Sequence, residues 1–235
     1  MIPEVEKLID RFDQLDYVVE EELATVLFLM LKLKKPLLLE GPPGVGKTEA
    51  ANIIAHYQDH ELIRLQCYEG LDVSTSVYEW NYQKQLLHIK LSEKEKISAA
   101  EQEKFIFSDE FLLNRPLLKA ITSDKPAVLL IDEIDRADEE FEAFLLELLS
   151  DFQISIPELG TIKAKHKPVV ILTSNRTRDL SDALKRRCLY HWVDFPTFDK
   201  ELAIVEKHVG GEVEILQHLV RFVEYLRAQH LQKTP

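Results

Sequence analysis

Residues 41–48 read Gly41-Pro42-Pro43-Gly44-Val45-Gly46-Lys47-Thr48, which puts three of the chain's seven glycines into eight positions. Pro36-Leu37-Leu38-Leu39-Glu40, just upstream, has the character of a short buried strand. Residues 48–57, just downstream, are rich in alanine and isoleucine and read as a helix. A strand that turns through glycines into a helix brings backbone amides close to one point. The first helical turn adds unpaired N–H groups and the positive end of the dipole. Together they form a cradle for phosphates. Lys47 adds a full charge near the β and γ phosphates of a triphosphate, and Thr48 a hydroxyl that can ligate Mg²⁺. A glycine-rich turn that binds nothing is the plain alternative. The match at every fixed position, flanked by strand and helix, weighs heavily against it.

The rest of the chain alternates in the same way. Strand runs are expected at 36–39, 62–66, 127–131, 169–173 and, more briefly, 191–194. Helices are expected at 20–33, 48–57 and 138–150, with 77–89 and 93–104 helical or partly irregular. Apolar strands separated by helices predict an α/β fold of three layers, a parallel sheet covered on both faces. Residues 152–164 break the pattern and read as a hairpin turning around 157–160, projecting from the sheet. After Pro196 the pattern is wholly helical, at 200–209 and 213–228. The expected division is therefore a nucleotide-binding domain at 1–196 and the start of a helical domain at 197–235. Residues 231–235 carry no terminating element, so that second domain is expected to be incomplete.

The length, 235 residues, accommodates one large domain with a small appendage. The net charge of −12 argues against a non-specific grip on nucleic acid, which needs a basic patch. Two cysteines, Cys67 and Cys188, suggest no disulfide framework and fit a reducing, cytoplasmic setting as small buried hydrophobes. Residues 1–7 mix charged and apolar side chains, so no secretory signal is expected. The apolar run 23–33 is too short for a membrane span and is closed by lysines.

Three further groups carry chemistry. The run Val128-Leu129-Leu130-Ile131 ends in Asp132 and Glu133. Acids at the C-terminal tip of a buried parallel strand sit where such sheets bind ligands. Asp132 is placed to hold Mg²⁺ through water and Glu133 to orient and polarise an attacking water. A solvated acidic turn is the alternative, because Asp135, Asp138, Glu139 and Glu140 follow. Asn175, after Leu172-Thr173-Ser174, can hydrogen-bond that water or the γ phosphate, or serve simple turn chemistry. Lys185, Arg186 and Arg187 end a short helix. They complement its dipole, or an arginine reaches a neighbouring subunit's γ phosphate.

In this order the motifs resemble those of the AAA+ ATPases, over about residues 17–196. The resemblance implies a P-loop NTPase core with a C-terminal helical lid. It implies Walker A at 41–48, with Glu49 beside it, Walker B at 128–133 and sensor 1 at Asn175. It places a trans-acting arginine at Arg187 or Arg186. Within the family, Leu39-Glu40 before the loop and Ile134-Asp135-Arg136-Ala137 after the acids are similar to the MoxR branch. Gln66-Cys67-Tyr68-Glu69-Gly70-Leu71-Asp72 and Tyr78-Glu79-Trp80-Asn81-Tyr82 resemble its CoxD-like subgroup, associated with maturation of carbon monoxide dehydrogenase. Relatives often carry Asp before the finger arginine and Phe after it, where this chain has Arg186 and Cys188. The sensor-2 position falls at or just beyond residue 235.

The resemblance further implies ATP and Mg²⁺ as cofactors, with an adenine pocket near Val18 and Val19. It implies a homo-oligomeric ring, a hexamer, acting as a chaperone on a client metalloenzyme with a von Willebrand factor A-type partner. No nucleic-acid or membrane partner is expected. Tyr68, Tyr78, Trp80 and Tyr82 belong either to a pore-facing loop or to the core. A nucleic-acid-linked motor or restriction-type NTPase, and a switch without turnover, are the competing readings.

Overall fold

The computed structural model describes residues 2–92, 99–157, 159–210 and 212–229. Helix α1 (Pro3–Asp13) opens the chain and buries Val5, Leu8 and Phe12 on one face. Phe12 meets Tyr17 and Tyr57 edge to face, with centroids 5.9 and 5.6 Å apart. Helix α2 (Glu21–Leu33) leads into strand β1 (Leu37–Glu40), and helix α3 (Lys47–Gln58) leads on to β2 (Glu61–Gln66). Next come α4 (Val73–Ser76), β3 (Tyr78–Trp80), α5 (Tyr82–Ser92), α6 (Ala99–Ile106), β4 (Leu112–Asn114) and α7 (Pro116–Thr122). Strand β5 (Ala127–Asp132) precedes α8 (Glu139–Asp151) and the hairpin β6 (Gln153–Ile156) with β7 (Gly160–Lys163). Then follow β8 (Val169–Ser174), α9 (Asp182–Lys185), β9 (Leu189–Trp192), α10 (Phe198–Val209) and α11 (Val213–Ala228).

Five strands form one parallel sheet in the order β2-β5-β8-β1-β9. Alternation along β5 divides the core. Val128 and Leu130 face a cluster with Leu27, Ile54 and Phe12, while Leu129 and Ile131 face one with Leu118, Phe141 and Leu148. Each large apolar side chain so buried stabilises the fold by roughly 1.5–3 kcal/mol. Helices therefore cover both faces, which is the expected three-layer α/β architecture. Because β8 inserts beside β1, with Ser174 level with Glu40, the tip of β8 lies next to the loop that follows β1. β5 lies one strand further on. Ligands of parallel sheets bind at such a switch point.

Several elements differ from the sequence expectation. Within 77–89, residues Tyr78–Trp80 form a strand paired antiparallel with β4, and the helix starts only at Tyr82. The partner lies some thirty positions away, so local periodicity cannot reveal the pair. Part of the expected helix 93–104, residues 93–98, lies outside the described residues, as do 231–235. The last sheet strand is Leu189–Trp192, not 191–194, because pairing begins where Leu189 meets Leu37. As an edge strand with alternating burial, it carries a weak apolar signal. The hairpin stands outside the five-stranded sheet but does not project freely, since Ile154 and Ile156 are buried in the core. Trp80 is buried and Tyr78 half-buried, whereas Tyr68 and Tyr82 are exposed.

The Thr197 hydroxyl caps α10. Arg227 of α11 makes a bidentate pair with Glu201 of α10, at 2.6 and 2.8 Å. Among the described residues no helix is long and apolar enough to cross a membrane.

Candidate active site

β1 delivers the chain into the phosphate loop, and the Gly41 N–H continues the ladder to Ser174 O at 3.2 Å. A Cβ at Gly41 would collide with the backbone carbonyl of Val193, so only glycine fits. Gly46, at φ 89°, is left-handed and turns the chain into α3. Lys47 is buried at the helix start, and its Nζ donates to Gly41 O (2.7 Å), Pro42 O (2.6 Å) and Asn175 Oδ1 (2.9 Å). Burial pulls the Lys47 ammonium below its ordinary pKa, and nearby Asp135, Asp132 and Glu133 oppose that without cancelling it. An anionic ligand therefore meets a cation that gains from its arrival.

Asp132 is buried at the tip of β5. Its Oδ1 accepts from Thr48 Oγ1 at 3.1 Å and from Thr173 Oγ1 at 2.5 Å, and its Oδ2 accepts from Arg64 at 2.5 Å. Glu133 adopts a left-handed backbone, φ 54° and ψ 50°, which few residues of this type do. Its N–H donates to Thr173 Oγ1 at 2.9 Å. Among the described residues its carboxylate pairs with Arg136 alone, at 3.2 Å, in an exposed pair of small energetic weight.

Asn175 is held from behind. Asp135, itself buried, accepts from the Asn175 N–H at 3.1 Å and from the Thr177 N–H and hydroxyl at 2.9 and 2.7 Å. Burial pushes the Asp135 carboxyl up, but the Thr177 and Asn175 donors outweigh it and leave the group below its ordinary pKa.

The structure thus gathers Pro43, Gly44, Gly46, Lys47, Thr48, Glu49, Asp132, Glu133 and Asn175 around one cleft of about 330 Å³, with Thr173 among them. Gly41 and Pro42 stand behind it as acceptors for Lys47. A second cleft of about 230 Å³ shares Gly44, Gly46 and Glu49 with the first. Tyr17, Val18, Val45, Val193 and Ile204 line it, a largely apolar set suited to a flat ring. Val18 thus lies where expected. Val19 instead packs against the core beneath.

Arg186 and Arg187 are not brought to this cleft. Leu189 pairs with Leu37, the first residue of β1, and its N–H donates to Pro36 O at 2.8 Å. The two arginines therefore lie at the starting edge of the sheet. The phosphate loop leaves the opposite edge, a strand length of roughly 13 Å away. Arg187 Nε donates to Ser150 Oγ at 2.6 Å and its NH1 to Ala183 O at 2.8 Å. Arg186 is exposed; its N–H donates to Asp182 O at 3.0 Å, and its side chain makes no hydrogen bond among the described residues.

Sequence reasoning missed three contributors: Arg64, Thr173 as the link between the acids, and Asp135 as the anchor of Asn175. Arg64 leaves a faint signal as a charge set between the apolar Ile63 and Leu65 of β2. Asp135 is hidden among neighbouring acids.

The sequence matches the profile of the ATPase family associated with various cellular activities (AAA) over residues 37–194. The chain belongs to the AAA family. Members are ATPases that generally use ATP with Mg²⁺ and assemble as oligomeric rings. An uncharacterised protein of Staphylococcus epidermidis is 29% identical over 206 residues, which is 84% of this chain and 70% of the relative. One of Staphylococcus aureus is 30% identical over 212 residues, covering 86% and 72%. A crystal structure of a candidate ATPase from Cytophaga hutchinsonii superposes with a TM-score of 0.59 at 17% identity, over 95% of this chain. The chain spans 63% of that structure's length, and the likeness is one of fold. The donors available to Mg²⁺ in this AAA chain, the Thr48 hydroxyl and the Asp132 carboxylate, are hard oxygens. They suit a small cation that keeps waters and phosphate oxygens for its other ligands.

Proposed function

We propose that this AAA protein hydrolyses ATP at a site completed by a neighbouring copy, as a MoxR-type remodelling chaperone. The observation that carries the reading is the meeting of Lys47, Thr48, Asp132, Glu133 and Asn175 around one cleft, with Thr173 joining the two acids. The loop amides and Lys47 hold the phosphates, and the adjoining cleft at Tyr17 and Val18 takes the base. The Thr48 hydroxyl and the Asp132 carboxylate would hold Mg²⁺, which would neutralise phosphate charge. The Glu133 carboxylate accepts a proton from the attacking water, and Asn175 positions that water against the γ phosphate.

Arg186 and Arg187 lie at the wrong end of their own sheet for this chemistry, which supports a role in trans. One of them stabilises transition-state charge in the next subunit of a ring, a contribution typically worth ~10³–10⁵ in rate. Arg187 is tethered to Ser150, while Arg186 is free to extend. We further assign residues 1–196 to the nucleotide domain and 197 onward to a helical lid. The lid lies against the base cleft through Lys200, Ile204 and His208. By resemblance to the MoxR and CoxD-like groups, the client is a metalloenzyme under assembly and the ring a hexamer, with a von Willebrand factor A-type partner.

Mixing tests the shared site. Lys47→Ala subunits cannot bind nucleotide, and Arg186→Ala/Arg187→Ala subunits lack the finger. Each is inactive alone, and mixed rings regain part of the turnover. Full activity of the pure double-arginine variant would exclude the trans role. Affinity capture with a Glu133→Gln protein in ATP identifies the client.

A further inference from the structure

At the starting ends of the sheet strands, away from the phosphate loop, lies a cavity of about 520 Å³. Lys34, Lys35, Lys165 and Lys167 line it together with His60 and His166, and no aspartate or glutamate does. The chain as a whole carries a net charge of −12, so composition alone does not produce this bunching. The cations come from separate parts of the sequence. Lys34 and Lys35 lie between α2 and β1, Lys165 and Lys167 between β7 and β8, and His60 between α3 and β2.

Local structure relieves only part of the crowding. Lys165 pairs with Asp124 at 2.8 Å, and Lys167 Nζ lies 5.1 Å from the centre of the Phe152 ring. The negative end of α2 favours Lys34 and Lys35. Lys34 nevertheless holds a left-handed backbone, φ 52° and ψ 41°, at a position where glycine is the easy choice. The Nδ1 atom of His60 is buried with no hydrogen-bond partner among the described residues.

We propose that this cavity is a second anion site, distinct from the phosphate loop, which takes a small ligand carrying two or more linked phosphate groups. Its volume falls in the range of small-molecule sites, ~300–1,000 Å³. Lysine ammoniums are flexible point charges that converge on phosphate oxygens from several directions. A nucleic-acid duplex fits less well, because it needs an extended basic stripe and would be repelled by the acidic remainder of the surface.

Isothermal titration of the full chain with inorganic pyrophosphate, at low salt and without Mg²⁺, tests the site. Lys47→Ala protein removes the phosphate loop from the measurement. Lys47→Met protein, which keeps the alkyl stem of the lysine, serves the same purpose should that variant not fold. The expected result is one saturable pyrophosphate site in either background, weakened at least about tenfold by Lys35→Gln with Lys167→Gln. Absence of saturable binding, or equal binding by the double variant, would overturn the proposal. So would tighter binding of a DNA duplex than of pyrophosphate through the same lysines, which would make the surface a nucleic-acid contact.

Discussion

Thr173 and Asp132 share a hydrogen bond of 2.5 Å, and the same hydroxyl accepts the N–H of Glu133 at 2.9 Å. One side chain on β8 therefore fixes both acids at the tip of β5. Thr173→Val keeps the shape and removes the hydroxyl, leaving a buried carboxylate oxygen and an amide without this partner. The expected loss of stability is ~1–3 kcal/mol, read from urea melts. Turnover of ATP falls more than about tenfold while nucleotide affinity changes little, and Thr173→Ser restores most of it.

Arg64 approaches the other oxygen of Asp132 at 2.5 Å. A cation there competes with a divalent ion for the same carboxylate. Arg64→Gln should lower the Mg²⁺ concentration that half-saturates binding of a fluorescent ATP analogue, by roughly the severalfold expected of one partly screened charge. An unchanged Mg²⁺ dependence would show that Arg64 does not act on the metal carboxylate.

Glu142 is buried in α8, with Arg178 at 2.5 Å from one oxygen and the Ser181 N–H at 2.9 Å from the other. It ties α8 to the loop between Asn175 and α9. Glu142→Ala removes the ion pair and leaves the Ser181 N–H without this acceptor, while Arg178 keeps Ala137 O, so the expected destabilisation is ~1–3 kcal/mol. Glu61→Ala removes the exposed pair with Lys119 and should change stability by under ~1 kcal/mol. Denaturant midpoints of the two variants separate these expectations.

Burial pushes the Cys67 thiol up to about 12, assisted by Asp132, and burial pushes the Cys188 thiol to about 12 against Arg187. Both pKa values are raised in the folded protein, so folding favours the neutral thiol. That contribution is complete below the unfolded pKa, about 8.5, and is lost as pH rises toward 12. At pH 8 the buried Cys67 should resist a thiol reagent in the folded protein and react once denatured, while the half-buried Cys188 is the more accessible of the two. Rapid labelling of Cys67 in the native chain would contradict its burial.

The placement of the glycine-rich loop and of the Asp132-Glu133 pair is legible in the sequence because each is contiguous and sits at a strand end, where parallel sheets gather ligand-facing groups. The five-stranded sheet followed from the same apolar runs. Thr173, Asp135 and Arg64 were not legible, because their roles depend on which strands become neighbours. The β3–β4 ribbon escaped for the same reason. Val18 and Val19 show the limit at the scale of one residue: adjacent and alike in type, one lines a cleft and the other fills the core. The position of Arg186 and Arg187 at the opposite edge of the sheet emerged only from the register of β9 against β1.

Phosphate release from Mg·ATP by wild-type and Glu133→Gln protein, compared at equal nucleotide occupancy, bears most directly on the assignment of this cleft. The expected result is steady turnover by the wild type and at least a ~10²-fold loss in the variant, with binding retained. Equal release by both proteins would contradict the assignment of Glu133 as the group that activates water.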